Sequence, residues 1–359
     1  MINSTNNKMK AAVLMGSNQL EVKEMPIPKP SSGEVLIKVQ ACAVCSSDIS
    51  LIAKPWFGQP PFGQFIPGHE YSGIIHEIGE NVEEFKIGDR VAVEAHSGCG
   101  RCINCRRGNY TACLNYGNIE LGHRANGFTT NGGYAQYVVN RVNTVYSIPD
   151  SVSFAEAALL TNLGCILYGF ESVGGFVAGD SIAVIGPGPL GLLSVEVGKA
   201  LAADKVWLIG TRESRLKVGK EIGADKVINI HNEDAERTIL SETDGLGVDL
   251  VIVAAGGNQV FETAVKLTKR MGKILVLSFP EKPVPLDLEL MGKNNVSLYT
   301  ARGEGRANCA RAVSLMASGR VNLNPLITHS FDLDKIQEGF QTFIERREGA
   351  IKVIIKPNA

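Results

Sequence analysis

Residues 181–191 read SIAVIGPGPLG, a short apolar strand pattern that runs directly into a glycine-rich turn. An apolar-periodic helix pattern follows to about Leu201, and strand and helix patterns alternate from there to about Leu277. This alternation predicts an α/β unit with a doubly wound parallel sheet. The predicted strands are Ser181–Ile185, Lys205–Ile209, Lys226–Ile228, Asp249–Val253 and Gly272–Leu277, with helices near Ser214–Ile222 and Gln259–Lys269.

The turn has the glycine spacing of a dinucleotide-binding fingerprint, with Gly186, Gly188 and Gly191 at its three positions. Glycines let the backbone approach a pyrophosphate, whose charge is met by free amides and by the positive end of the next helix. Pro189 and Leu190 belong to the same predicted site. The alternative is a strand-to-helix turn without a ligand, and the surrounding alternation of strands and helices favours the nucleotide site.

The end of the following strand predicts which dinucleotide binds. An acidic residue about 20 positions on would hold the free ribose hydroxyl of NAD. This chain has Gly210, Thr211 and Arg212 there instead. Glycine leaves room for a 2′-phosphate, threonine can donate a hydrogen bond to it, and arginine offers a guanidinium fork. We therefore predict NADP in preference to NAD. The alternative is that Arg212 is only a surface charge and that Glu213 takes the ribose.

The chain before about Ser153 has short strand patterns separated by glycine and proline turns, without crossover helices. Alternating polarity and β-branched residues predict an all-β, barrel-like unit without a parallel sheet. Its predicted strands are Lys10–Leu14, Glu34–Val39, Ile74–Ile75, Arg90–Val93 and Tyr134–Val139. After about Gly303 we expect helices Ala307–Ser318 and Leu333–Arg346 and a closing strand, Ala350–Ile355.

Four of the eight cysteines crowd into one loop, as Cys99-x2-Cys102-x2-Cys105-x7-Cys113. Cysteines at this spacing strain any mutual disulfide. Four thiolates close a tetrahedral zinc site with no open position, so the predicted zinc is structural. The alternatives are unligated thiols and an iron–sulfur cluster.

A second predicted zinc site consists of Cys45, His69 and Glu70. Mixed sulfur, nitrogen and oxygen ligands leave a position for a substrate oxygen, so this zinc would be catalytic. Ser47 would hydrogen-bond that oxygen, and Asp48 would fix the tautomer of His69. The alternative is that Cys45 is a core thiol, while Ser47 and Asp48 cap a helix.

The composition narrows the range of partners. A chain of 359 residues exceeds what one core usually covers, which predicts two domains. A net charge of -1 provides no basic field for nucleic acid or a membrane surface, so we expect a small-molecule partner. The leader Met1–Lys8 is polar and no later apolar run is long enough to cross a bilayer, which predicts a cytoplasmic protein.

From about Met9 onward the chain resembles the zinc-dependent medium-chain alcohol and polyol dehydrogenases. The zinc signature of that family, G-H-E-x2-G-x5-G-x2-V, is matched by Gly68, His69, Glu70, Gly73, Gly79 and Val82. The four-cysteine lobe, the turn 132–135, the glycine fingerprint and the segments 327–329 and 349–352 resemble it too. The resemblance implies a GroES-like all-β catalytic domain, residues 1–155 and 296–359, with a Rossmann dinucleotide-binding domain, 156–295, inserted between its parts.

One position departs from the family pattern. Members usually present a further zinc ligand, Cys, Glu or Asp, on the helix after the barrel, and Thr161 stands there in this chain. Threonine is a poor zinc ligand. Either Glu70 and a water complete the coordination, or Cys165 reaches in from one helical turn on, or the site is weakened; we favour Glu70 and a water.

The resemblance implies an oxidoreductase in which Ser47 accepts or relays a proton while hydride passes to the nicotinamide. Within the family, the chain resembles the polyol, sorbitol-dehydrogenase-like branch, because Glu70 lies beside the zinc and long insertions are lacking. We predict hydride transfer between NADP(H) and a secondary alcohol or ketone of a polyol, cyclitol or sugar. The alternatives are a threonine or simple secondary-alcohol dehydrogenase and a non-catalytic NADPH-binding protein. The resemblance also implies a homodimer or homotetramer joined through the segment 295–299.

Overall fold

The computed structural model describes residues 7–280, 282–305 and 307–359, so that most of the leader lies outside the described residues. The strands are β1 Lys8–Gly16, β2 Gln19–Pro26, β3 Glu34–Ala43, β4 Tyr71–Ile78, β5 Arg90–Val93, β6 Tyr137–Arg141, β7 Val145–Ser147, β8 Ile182–Ile185, β9 Val206–Gly210, β10 Lys226–Asn229, β11 Val248–Val253, β12 Thr268–Val276, β13 Ser297–Thr300, β14 Ile327–Asp332 and β15 Lys352–Lys356. The helices are α1 Ser46–Ala53, α2 Ile103–Arg106, α3 Phe154–Ala157, α4 Leu160–Ser172, α5 Pro189–Ala200, α6 Glu213–Glu221, α7 Ala235–Glu242, α8 Asn258–Leu267, α9 Leu288–Asn294, α10 Asn308–Ala317 and α11 Ile336–Glu345. None of the helices in the described part combines the length and the apolarity that a membrane span requires.

The chain divides into two compact units. The first runs up to Gly164 and includes Gly303–Ala317 and Ile327–Ala359. Within the described residues its main sheet has seven strands in the order β14-β15-β3-β4-β5-β7, with β6 also paired to β3, while β1 and β2 form an antiparallel pair. All pairs of the main sheet are antiparallel except β14 with β15. The strand pairs formed by the chain before Ser153 are all antiparallel, as predicted. The parallel pair lies later in the chain, and its strands are separated by α11, a helical crossover of the kind that parallel neighbours need.

The loop before β4 is held by close backbone packing in the first unit. Gly68 has a φ of +94°, and an added Cβ would lie 2.9 Å from Cys42 Sγ and from Tyr134 Cδ2. An added Cβ on Gly132 would overlap the carbonyl oxygen of Gly68. Only glycine fits this conformation and this spacing without strain. The turn thereby places His69 and Glu70 directly before β4.

The second unit comprises Cys165–Arg302 and Ser318–Leu326. Its sheet, over the described residues, is six-stranded and wholly parallel in the order β10-β9-β8-β11-β12-β13. The chain proceeds outward from β8 in one direction and then returns to place β11 on its other side. The order therefore reverses beside β8, where ligands bind in sheets of this class. The glycine turn leaves β8 at this point.

Several predicted boundaries are wrong. The helix predicted to reach Lys269 ends at Leu267, and β12 begins at Thr268 rather than at Gly272. Strand β6 covers Tyr137–Arg141 instead of Tyr134–Val139. Tyr134 lies before it in a buried loop and donates its hydroxyl to Asp48 Oδ2 at 2.8 Å. The predictions also missed β2, β7, β14, α7 and α9, and they raised α1 only as an alternative, through the capping role of Ser47 and Asp48.

Candidate functional site

The structure brings Cys45, His69 and Glu70 together in the first unit. Their sulfur, ring nitrogen and carboxylate oxygen all lie within 4.8 Å of one another. Cys45 is the N-cap residue directly before α1, whereas His69 and Glu70 come from the turn before β4. His69 is 4% exposed and Glu70 is fully buried. A thiol, an imidazole and a carboxylate at this spacing form a donor set that fits zinc.

The carboxylate of Asp48 holds the ring of His69. Asp48 Oδ1 lies 3.1 Å from His69 Nδ1, and Asp48 Oδ2 accepts from the backbone N–H of Cys45 at 3.0 Å. Asp48 therefore both caps α1 and orients the imidazole, so the two interpretations of this residue hold together. With Nδ1 donating to Asp48, Nε2 of a neutral ring is left with its lone pair free for a ligand.

Negative groups around His69 favour a cation at this position. Burial alone would lower the pKa of His69, but Asp48 and Cys45 raise it well above its ordinary value. A metal ion would meet the same negative groups that a second ring proton meets. Ser47 is also present, with its Oγ 3.1 Å from Cys45 Sγ and 3.5 Å from His69 Nε2.

Two residues to which the sequence analysis gave no role bind the carboxylate of Glu70. Asn162 Nδ2 donates to Glu70 Oε1 at 2.7 Å, and Lys352 Nζ donates to Glu70 Oε2 at 2.5 Å. Lys352 is 1% exposed. Burial alone would lower the pKa of Lys352, but the carboxylate of Glu70 raises it above its ordinary value. A lysine within the apolar run 350–355 was the available signal, because a buried lysine needs an anionic partner.

The hydroxyl of Thr161 is already engaged in a hydrogen bond and is not free for a ligand role. Its hydroxyl donates to the backbone carbonyl of Val93 at 3.3 Å, and the residue is 5% exposed. Cys165 lies in the second unit and belongs to neither ligand cluster found among the described residues. The choice between Glu70 with a water and Cys165 stays a prediction.

Aromatic side chains pack beside His69. The ring of Phe128 lies 4.4 Å from that of His69 and 5.4 Å from that of Trp56. His96 packs on Phe128 at 5.6 Å, and its Nδ1 lies 3.0 Å from Oε2 of the buried Glu304. Neither a motif nor a spacing marks Phe128, His96 or Glu304 in the sequence, so these residues were not predicted.

The four loop cysteines also converge. The sulfur atoms of Cys99, Cys102, Cys105 and Cys113 lie within 4.8 Å of one another, and all are free thiols. The backbone N–H of Cys102 donates to Cys99 Sγ at 3.3 Å, and Asn115 Nδ2 donates to the same sulfur at 3.3 Å. Burial alone would raise the pKa of Cys99, but backbone amides and Asn115 lower it to about 6. The surroundings of Cys99 therefore favour the thiolate, which is the form that binds metal. Burial instead raises the pKa of Cys105, and it raises the pKa of Cys113 to about 12.

The glycine turn opens α5 in the second unit. Gly188 caps this helix and Pro189 is its first residue, so the free amides of the first turn follow directly. An added Cβ on Gly210 would overlap the ring of Pro187. Gly210 therefore allows the turn to pack on the end of β9, a different reason from the room for a phosphate that the sequence suggested. Thr211 is exposed and Arg212 half-buried at the start of α6.

Two sequence profiles match the chain. The profile of the alcohol dehydrogenase GroES-like domain matches residues 31–150, and that of the zinc-binding dehydrogenases matches residues 189–318. Sorbitol dehydrogenase of Bacillus subtilis is 30% identical, with 100% of both chains covered. L-threonine 3-dehydrogenase of Pyrococcus horikoshii is 33% identical, over 94% of this chain and 95% of the relative.

Solved structures share the fold. A zinc-binding dehydrogenase from Sinorhizobium meliloti bound to NADP superposes with a TM-score of 0.88 at 26% identity, covering 98% of this chain and 99% of the other. A short chain alcohol dehydrogenase from Escherichia coli in complex with NADH has a TM-score of 0.87 at 27% identity, covering 98% and 100%. Together with the parallel sheet of the second unit, these matches confirm the predicted fold class, a GroES-like unit plus a Rossmann unit.

Proposed function

This chain belongs to the zinc-dependent medium-chain alcohol and polyol dehydrogenases, enzymes that oxidise alcohols, and within this family we propose that it transfers hydride between NADP(H) and a secondary alcohol or ketone of a polyol, cyclitol or sugar. The observation that carries the proposal is the trio of the half-buried Cys45 and the buried His69 and Glu70, with ligand atoms within 4.8 Å of one another. A zinc ion held there supplies a positive charge that polarises a substrate oxygen.

The residues around the trio position the reacting groups. Asp48 keeps Nε2 of His69 available, at an Nδ1 to Oδ1 distance of 3.1 Å. The hydroxyl of Ser47, 3.1 Å from Cys45 Sγ, would relay the proton that the alcohol loses, by accepting it while passing its own proton to water. Phe128 packs against the imidazole, and Trp56 stacks on Phe128. Cys99, Cys102, Cys105 and Cys113 would hold a second, structural zinc.

Metal content tests the site most directly. We expect two zinc ions per chain in the wild type and one in Cys45→Ser, because a serine hydroxyl replaces the thiolate ligand. The variant should lose at least about a hundredfold in kcat, since a zinc contributes several kcal/mol to the transition state. Two zinc ions retained in Cys45→Ser, or unchanged turnover, would contradict the assignment.

We propose NADP as the preferred cofactor. No carboxylate follows β9 directly, and Glu213, the alternative ribose ligand, accepts a hydrogen bond from Asn229 Nδ2 at 3.0 Å. Arg212, at the start of α6, would then pair with the 2′-phosphate. In Arg212→Ser the ratio of kcat/KM for NADP to that for NAD should fall at least tenfold, since a charged hydrogen bond contributes about 1.5–3 kcal/mol. Equal kcat/KM for the two cofactors in the wild type would refute the preference.

A substrate panel decides between the polyol and threonine alternatives. The named relatives include both a sorbitol and a threonine dehydrogenase, at 30% and 33% identity, so identity alone does not separate them. We expect NADP reduction with sugar alcohols or cyclitols. Activity confined to threonine or to simple alcohols would exclude the polyol proposal.

A further inference from the structure

The side chain of Asn162 lies against the candidate metal centre. It extends from α4, is 6% exposed, and donates through Nδ2 to Glu70 Oε1 at 2.7 Å. Glu70 is also bound by Lys352 through its other oxygen. A carboxylate paired with a lysine only accepts hydrogen bonds, so the amide nitrogen of Asn162 faces it and the amide oxygen faces away.

That amide oxygen has no partner. Asn162 Oδ1 is buried, with less than 1 Å² exposed, and no hydrogen bond reaches it from any described residue. The great majority of buried polar atoms are hydrogen-bonded, because leaving one unsatisfied costs about 1–3 kcal/mol. Oδ1 accepts only, so the missing partner is an O–H or N–H donor.

Oδ1 lies close to the ligand trio, so its missing donor would also lie close to the reacting groups. The C=O and C–N bonds of an amide together span at most about 2.6 Å, so Oδ1 lies no more than about 5.3 Å from Glu70 Oε1. The adjacent residue, Thr161, uses its hydroxyl on Val93 at 3.3 Å and supplies no donor here. The open acceptor is thus next to the ligand trio, on the helix where the family usually carries a further ligand.

We propose that Asn162 is a substrate-specificity residue whose Oδ1 accepts a hydrogen bond from a hydroxyl group of a polyhydroxylated substrate, while its Nδ2 holds Glu70 in place. The inference rests on the proposed polyol function. It supplies Oδ1 with the hydrogen-bond donor that the described residues do not provide. It also narrows the substrate class to alcohols with a second hydroxyl group near the one that reacts.

A cycle that combines an enzyme variant with substrate analogues tests the proposal. The kcat/KM of zinc-loaded wild type and of Asn162→Leu is measured with the best polyol of the panel and with its series of deoxy analogues. For one analogue, the kcat/KM of the wild type should be about tenfold lower than with the polyol, as expected for one lost hydrogen bond. The kcat/KM of Asn162→Leu should be less than about twofold lower with that analogue than with the polyol. Thr161→Val is the matched control and should show the full tenfold loss with that analogue.

The outcomes separate the two proposals. Losses that are the same in wild type and in Asn162→Leu for every deoxy analogue would overturn the role of Asn162 and leave the polyol function intact. An inactive wild type would instead contradict the polyol function.

A crystal structure of zinc-loaded wild-type protein soaked with sorbitol tests the same contact without turnover and without a variant that must fold. A sorbitol hydroxyl within about 3.2 Å of Oδ1 supports the proposal. An Oδ1 bound to a protein group, or to water alone, overturns it.

Discussion

At the scale of single residues, the ion pair of Lys352 and Glu70 places two opposite charges in the interior of the site. Both side chains are buried, so each charge has lost its hydration and depends on its partner. A buried pair contributes little net stability, but removal of one partner leaves an uncompensated charge and costs about 3–5 kcal/mol.

Lys352→Met should therefore lower the free energy of unfolding of the first unit by about 3–5 kcal/mol. The loss should be largest in zinc-free protein, because a bound cation offsets the charge of Glu70. Urea unfolding with and without a chelator measures both effects. Lys356→Met, at an exposed position of the same strand, is the control and should stay within about 0.5 kcal/mol of wild type. Equal effects of the two variants would contradict this account of the pair.

Gly132 gives a second prediction at this scale. An added Cβ would overlap the backbone oxygen of Gly68, which cannot move without shifting His69. Gly132→Ala should therefore lower the thermal midpoint and reduce the zinc content of the Cys45 site. Gly292→Ala, in α9, adds a Cβ that meets nothing within 4 Å and should be neutral or slightly stabilising. Full zinc occupancy in Gly132→Ala would show that the turn tolerates the shift.

Local patterns predict only part of such a site. Cys45, His69, Glu70 and Asp48 were all expected near one another, and the structure places them so, because motif spacing encodes contacts between neighbouring segments. Lys352 and Asn162 meet Glu70 across 282 and 92 positions of the chain. Contacts of that length depend on the register of β15 and on the direction of α4, which no local pattern specifies.

At the scale of secondary-structure elements, strands and helices with strong periodicity were predictable and their ends were not. The strands β8, β9 and β11 were located to within a residue or two, because buried parallel strands have continuous apolar runs. Helix α7 was missed, although Asp234 caps it through the N–H of Arg237. Strand β14 alternates between exposed and half-buried residues at a sheet edge, so its apolar signal is weak.

The cysteine loop provides a prediction about an element that has little regular structure. Cys105→Ser should remove one zinc per chain and lower the thermal midpoint, because the loop has only the short α2 and turns to hold it without metal. Metal analysis together with calorimetry measures both. Cys165→Ser is the control and should retain two zinc ions. A loss of zinc in Cys165→Ser would identify Cys165 as a ligand of the other site.

At the scale of the whole molecule, stability should depend on pH through Glu196 of the second unit. Burial raises the pKa of this carboxyl from 4.5 to about 7. Between these pH values the folded state holds a proton that the unfolded state has lost, so the free energy of unfolding falls as the pH rises through this window. The contribution lost is at most about 3 kcal/mol.

Glu196→Gln should flatten this dependence, since glutamine stays neutral in both states. Thermal midpoints measured between about pH 5 and pH 8 for wild type and variant test the expectation, with the exposed Glu221→Gln as control. A slope in Glu196→Gln as steep as in the wild type would assign the pH dependence to other groups.

The predicted oligomer also belongs to this scale. Strand β13 lies at one edge of the six-stranded sheet and pairs only with β12 among the described strands. An unpaired edge can add a strand from a second copy of the chain. We expect light scattering to give a dimer or tetramer mass and Leu298→Pro to shift it toward the monomer, because proline removes a ladder donor. A monomeric wild type would contradict the prediction.

The distance in the chain between Glu70 and its lysine also affects biosynthesis. A ribosome synthesises the 282 positions that separate them before the counter-ion emerges. Enclosing the carboxylate without its counter-ion is costly, so we expect it to stay hydrated until then. We therefore expect the cell to load this centre with zinc only after translation has passed Lys352.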